Sequence, residues 1–259
     1  MPNKYTDYTL QEMQVVAAAR EIKDGELVIV GTGMPLLAAN LAQKTTAPNL
    51  IAIYESGVYD SKPIVTPSSV VDSVLVPGSA QTGGLMETLG PVHAGDVDVG
   101  FLGGAQIDKY GNLNTHVIGN YRAPKARLPG SGGGNDIGAG CKRTIVMMAP
   151  HLKHRFPEKV DFNTTPGYFN GGKERETYGF VGKGPSIVIS NMGILRFDDE
   201  TKEMYLVSYH PGVTIGQIKE NTGWDLKIAR DVHETQLPDP EFIRILRDEC
   251  DPSGVFLKK

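Results

Sequence analysis

Two spacings alternate along the first half of the chain. Capped helical stretches carry apolar positions three and four apart, and between them lie short runs that are apolar at almost every position. Thr9-Leu10-Gln11-Glu12 has the form of a capping box and predicts a helix that Gly25 ends, with Met13, Val16, Ala17 and Ile22 on its apolar side. Leu27-Val28-Ile29-Val30 reads as a strand. Gly31-Thr32-Gly33-Met34-Pro35 then leads into a helix over residues 36–44, where Pro35 suits the first turn. Residues 50–54 form the next strand, broken by Glu55-Ser56-Gly57. Strands without polar alternation are buried on both faces, so the order strand, helix, strand predicts a parallel sheet covered by helices on both sides.

Apolar runs at 97–102, 144–148 and 187–190 extend that sheet. Residues 194–197 and 204–209 flank the polar Asp198-Asp199-Glu200-Thr201-Lys202 and predict an antiparallel hairpin. Thr214 caps a helix ending at Gly223, and Asp239-Pro240 opens another through about Glu249. No Ser/Gly linker, compositional step or internal repeat interrupts the chain. The expected fold is an α/β domain spanning residues 1–259, with an open, mainly parallel twisted sheet, helices on both faces and one antiparallel hairpin.

Charge and cysteine narrow the function classes. Lys plus Arg is 26 and Asp plus Glu is 30, for a net charge of −4, and no basic stripe points to nucleic acid. The apolar runs are too short for a transmembrane helix, and the first residues lack the apolar core of a secretory signal. Cys141 and Cys250 lie far apart and read as two reduced thiols, so the expected compartment is the cytoplasm.

Glycine marks where chemistry is expected. Residues 78–140 hold 16 of the 31 glycines in about a quarter of the 259 positions. Gly103-Gly104-Ala105-Gln106-Ile107-Asp108 and Gly130-Ser131-Gly132-Gly133-Gly134 are either tight turns or loops that aim backbone N–H groups at an anion. Glu55 ends an apolar strand, where parallel sheets bind their ligands. A carboxylate there serves as nucleophile, general base or metal ligand, or pairs with a neighbouring surface charge. Other signals are thinner. Gly31-Thr32-Gly33 lacks the third glycine of a dinucleotide fingerprint, because Leu36 stands there. His151 and His154 are three apart without an acidic or Cys partner nearby, so no metal site is expected. No G-x-S-x-G elbow supports a serine hydrolase.

In order, Glu55-Ser56-Gly57, the 103–114 segment and Gly130-Ser131-Gly132-Gly133 resemble the B subunit of family I coenzyme A transferases, of the glutaconate and 3-oxoadipate branch. Ile118-Gly119-Asn120-Tyr121 with Pro124-Lys125, and His210-Pro211-Gly212-Val213 with Glu220-Asn221-Thr222-Gly223, also look like family segments. The resemblance implies ping-pong transfer of CoA from an acyl-CoA to a small dicarboxylic or 3-oxo acid, through a glutamyl-CoA thioester on Glu55. It further implies an oxyanion or CoA loop containing Gly130, Gly132 and Gly133, a contact from Gln106, and CoA thioester as substrate with no tightly bound cofactor. The partner it implies is a homologous A subunit in a hetero-oligomer, without nucleic acid or membrane. Arg122, Lys125 and Arg127 are candidates for clamping a distal carboxylate or CoA phosphates. Gly134-Asn135 departs from the family, where many relatives carry a small apolar residue after the two glycines.

Two other functions stay open at this point. Relatives without the glutamate act as hydrolases or decarboxylases, which leaves an acyl-CoA hydrolase as the alternative. A ligand-sensing module would need a DNA-binding helix-turn-helix or basic arm, and the chain shows neither.

Overall fold

The computed structural model describes residues 5–257. The chain opens on α1 (Leu10–Arg20), β1 (Leu27–Val30), α2 (Met34–Lys44), β2 (Ile51–Tyr54) and β3 (Val58–Tyr59). After β4 (Gln81–Thr82) come α3 (Leu85–Ala94) and β5 (Val99–Leu102). Two short ribbons follow, β6 (Gln106–Ile107) with β7 (Leu113–Asn114) and β8 (Val117–Asn120) with β9 (Ala123–Arg127). The remainder is α4 (Gly134–Gly140), β10 (Arg143–Met148), α5 (Glu174–Thr177), β11 (Pro185–Ser190), β12 (Gly193–Phe197), β13 (Met204–Tyr209), α6 (Ile215–Glu220), β14 (Lys227–Glu234) and α7 (Pro240–Ile245).

Ten strands form one sheet in the order β14-β13-β12-β11-β10-β5-β1-β2-β3-β4. The five from β11 to β2 are mutually parallel, and the expected hairpin is β12 with β13. Strand periodicity splits the core into two layers. Val28, Val30 and Tyr54 pack on one face with α1, α2 and residues of α7, whereas Ile29, Ile53 and Val146 pack on the other with Val92 of α3 and Ile137 of α4. Helices therefore cover both faces.

Element ends differ from the sequence pattern where turns take over. The Thr9–Glu12 capping box forms, but α1 stops at Arg20, and the Glu21 N–H closes the last turn onto Ala18 and Ala19. Gly25, at φ +79°, belongs to the turn before β1. Residues 13–19 are buried all round, not on one side, because the helix is wedged between the sheet and α2. The α6 helix has its Thr214 capping box and ends at Glu220, and α7 runs on into a wider π turn over Leu246–Cys250.

Candidate active site

The chain passes from β1 to β2 on one side and later returns to β5 on the other side of β1. The crevice beyond the carboxyl ends of these strands is where open α/β sheets hold ligands. Glu55 leaves β2 into that crevice next to Gly31, since the register pairs Val30 with Tyr54. Ile53 packs in the α3–α4 layer, and Glu55, two residues on, turns its half-buried side chain the same way.

The Glu55-Ser56-Gly57 turn is tightly specified. The Gly57 N–H bonds to Tyr54 O at 2.9 Å, and the Ser56 hydroxyl donates to Val70 O. Gly57 sits at φ +116°, and a Cβ there would fall 1.9 Å from Gly83 O, so no other residue fits. Gly83 returns its own N–H to Gly57 O at 2.7 Å. Thr88 on α3 donates its hydroxyl to Glu55 O at 3.0 Å.

The carboxylate meets the second glycine loop. The Gly133 N–H donates to Glu55 Oε1 at 3.1 Å, across 78 residues of sequence. Gly132 borders the same oxygen, where a built Cβ would lie 3.9 Å away. Gly130 differs from its expected place among the donors: its N–H is committed to Thr115 O at 2.9 Å, and its φ of +101° shapes the loop. The Gly134 N–H is likewise taken by Ser131 O at 2.8 Å. The first loop does not carry donors to Glu55. Gly103 and Gly104 make room for Met147 O, at 3.2 Å from a built Cβ, and for Gln106 O, at 3.1 Å.

Gln106 is held elsewhere. Its carbonyl accepts from Asn114 Nδ2 at 2.7 Å and from the Asp161 N–H at 3.1 Å, and its amide donates to Asp161 Oδ2 at 3.0 Å. This part-buried network ties the β6–β7 ribbon to residue 161, so the structure uses Gln106 as a fastener. Arg122, Lys125 and Arg127 lie exposed on the β8–β9 ribbon, and Arg127 is turned onto Tyr121, with its guanidinium 4.7 Å from the ring centroid. His151 and His154 do not form a pair. His151 is fully buried between Ser190 and Thr222, whereas His154 is exposed. Among the described residues no cluster of three or more His, Cys, Asp and Glu could hold a metal. Cys141 and Cys250 are free and buried, and burial pushes both thiols up to about 12, which makes them poor nucleophiles.

A cleft of about 790 Å³ lies away from this carboxylate, between Asp108, Tyr110, Phe162 and Phe169. Two of its carboxylates are engaged by neighbours, Glu158 by Lys109 at 3.1 Å and Asp161 by the Gln106 amide and the Gly119 N–H. Burial pushes the Asp108 carboxyl above the usual carboxylate range, yet that side chain is clamped by the Tyr110 N–H and by the Asn112 backbone and amide. The crevice at Glu55 brings together a carboxylate at the end of a parallel strand, a backbone donor and an apolar wall including Leu89. The sequence pattern misses α3, which supplies that wall, because Gly83-Gly84, Gly90 and Pro91 hide its helical period.

Known proteins similar in sequence and shape supply the class. The family model described as Coenzyme A transferase matches residues 11–221, and the chain belongs to that family. It is 42% identical over 262 residues to the B subunit of glutaconate CoA-transferase from Acidaminococcus fermentans, covering 98% of this chain and 97% of that one. It is 41% identical over 246 residues to the B subunit of 3-oxoadipate CoA-transferase from Pseudomonas knackmussii, covering 93% and 92% of the two chains. The crystal structure of glutaconate coenzyme A-transferase from Acidaminococcus fermentans superposes with a TM-score of 0.92, covering 99% of this chain and 100% of that one. No helix among the described residues is long and apolar enough to cross a membrane.

Proposed function

We propose that the chain is the B subunit of an enzyme that moves CoA from an acyl-CoA to a small dicarboxylic or 3-oxo acid, with Glu55 as the covalent nucleophile. The observation that carries this reading is the Gly133 N–H on Glu55 Oε1 at 3.1 Å, at the carboxyl end of a parallel strand. Glu55 Oε2 attacks the thioester carbonyl, giving an acyl-glutamyl anhydride and CoA thiolate. The thiolate then adds to the glutamyl carbonyl and expels the first acid, which leaves glutamyl-CoA. A second carboxylate attacks the glutamyl carbonyl of that thioester, and the steps run in reverse. Each bond broken is replaced by one of similar energy, so the CoA group moves without ATP or metal. Where the tetrahedral carbon forms on the glutamyl group, its oxyanion stays on the Gly133 N–H. One such donor is worth roughly 2.7–4 kcal/mol of barrier.

Water must be kept from the anhydride and the thioester. Glu55 is only half-buried, and Leu85 and Met86 at the start of α3 are 58% and 82% exposed. The relatives are named as B subunits, and a homologous A subunit closing this apolar rim would exclude water. The chain reads as one domain, because a single sheet takes strands from residue 27 to residue 234. Incubating the chain and its A subunit with acyl-CoA should leave a covalent CoA on Glu55, detected by intact mass and peptide mapping. Glu55→Ala should lose transfer by orders of magnitude. Near-normal transfer in that variant rejects the mechanism, and equal CoA release with and without acceptor acid indicates hydrolysis.

A further inference from the structure

α3 meets the Glu55 turn at three points. Gly83, just before the helix, donates its N–H to Gly57 O, the Tyr59 hydroxyl donates to Glu87 O, and the Thr88 hydroxyl donates to Glu55 O at 3.0 Å. Of these, the Thr88 bond is the one that reaches the residue bearing the carboxylate. Thr88 is fully buried, and its hydroxyl has a single proton. Two carbonyls of its own helical turn compete for it, Leu85 O at 3.1 Å and Gly84 O at 3.4 Å. A local bond of that kind would satisfy the hydroxyl without any help from Glu55. The shortest of the three distances is nevertheless the one to the strand end.

Glu55 is thus gripped twice, at its main-chain carbonyl from α3 and at Oε1 from the loop that opens α4. The two grips share a frame. A Cβ on Gly140 of α4 would lie 2.2 Å from Val92 O of α3, and His93 Nε2 lies 2.8 Å from Asp136 Oδ1. Leu89, one residue after Thr88, packs against Gly133.

We infer that Thr88 is a positioning residue for the nucleophile: its hydroxyl fixes the end of β2 so that the carboxylate stays on the Gly133 N–H. This rests on the reading of Glu55 as the nucleophile. Displacements of about 1 Å in a reacting group can cost roughly 100-fold in rate, so Thr88→Val, which keeps the shape and removes the donor, should slow chemistry about 10- to 100-fold.

The test is single-turnover formation of the CoA adduct on Glu55, in the complex with the A subunit, at varied acyl-CoA concentration. Thr88→Val should lower the maximal rate while the half-saturating acyl-CoA stays within about 3-fold, because the substrate is not touched. Thr88→Ser, which restores the hydroxyl and lacks the methyl, should recover the wild-type rate. If Thr88→Val does not assemble, Thr88→Ala, which also lacks the donor and differs from Thr88→Ser by the hydroxyl alone, takes its place in the comparison. A wild-type rate in the donor-less variant overturns the inference and leaves the nucleophile intact. Equal slowing in the Ser variant also overturns it, since packing would then be the cause. No adduct on Glu55 in the wild-type complex overturns both readings together.

Discussion

At Gly133 the lack of a side chain is a matter of room. Its φ of −79° and ψ of 5° are open to any residue, so conformation does not demand glycine. A Cβ built there would stand 3.0 Å from Glu55 Oε1, 3.2 Å from its Cδ and 3.4 Å from Leu89 Cδ2. Alanine would therefore push the carboxylate off the amide that holds it. Gly133→Ala should keep its thermal midpoint within a few degrees and lower adduct formation on Glu55 by about 10-fold or more, given what one such donor contributes. Wild-type adduct kinetics in this variant would show that the amide contact is dispensable. Gly132 beside it needs glycine for a different reason, a φ of +48°. The sequence marks residues 130–134 as glycine-rich but cannot separate these reasons, because one of them depends on a carboxylate 78 residues away. The structural role of Gln106 is hidden on the same account. Asp161, which engages it, lies 55 residues off, and no local pattern announces the pairing.

The same distinction between local pattern and distant contact holds for whole elements. The parallel strands are legible because burial on both faces leaves them apolar at nearly every position. β14 is not, since its residues are exposed or half-buried at the sheet edge, and two-residue strands such as β3 and β4 carry no period at all. α4 explains much of the glycine cluster. A Cβ on Gly138 would lie 2.3 Å from Thr165 Cγ2, one on Gly140 2.2 Å from Val92 O, and one on Gly100 of β5 2.3 Å from Ile137 Cγ2. These glycines let a seven-residue helix lie directly on β5, α3 and the loop at residue 165. Gly140→Ala meets a backbone carbonyl, which cannot swing aside as a long side chain can. The helix pair should separate, at a cost of about 1–3 kcal/mol as for other overpacked sites. A lower urea midpoint with an unchanged slope is the expected reading, and a midpoint equal to wild type would mean the backbone yields without strain.

Across the whole molecule, two buried histidines make stability depend on pH, and both converge on Ser190 at the end of β11. His151 contacts the Ser190 hydroxyl at 2.9 Å and Thr222 Oγ1 at 3.1 Å, and stacks on Phe156 with ring centroids 3.7 Å apart. His210, beyond β13, lies with Nε2 2.9 Å from Ser190 O and Nδ1 3.0 Å from Thr235 Oγ1. A carbonyl only accepts, so Nε2 carries the proton of a neutral ring. Burial pushes His151 down to about 3 and His210 down to about 4. The unfolded chain takes up these protons near pH 6.5, and the folded chain refuses them until much lower pH. Both therefore contribute stability that is complete above about pH 6.5 and is lost as the pH falls towards 4, by up to about 1.4 kcal/mol per pH unit for each ring. Asp108, whose carboxyl is pushed up by burial, acts in the opposite sense, and paired carboxylates such as Glu12, lowered by Arg247, add to the loss only at lower pH. Between pH 5 and 6 these two rings should accordingly take up about two protons on unfolding, an uptake that Asp108 offsets in part, and the sum is read from the slope of unfolding free energy against pH. His210→Gln, which keeps an amide donor near Ser190 O, should reduce that uptake by about one. If the variant and the wild type show the same slope, His210 titrates alike in both states, and the buried ring is not what makes the fold sensitive to acid.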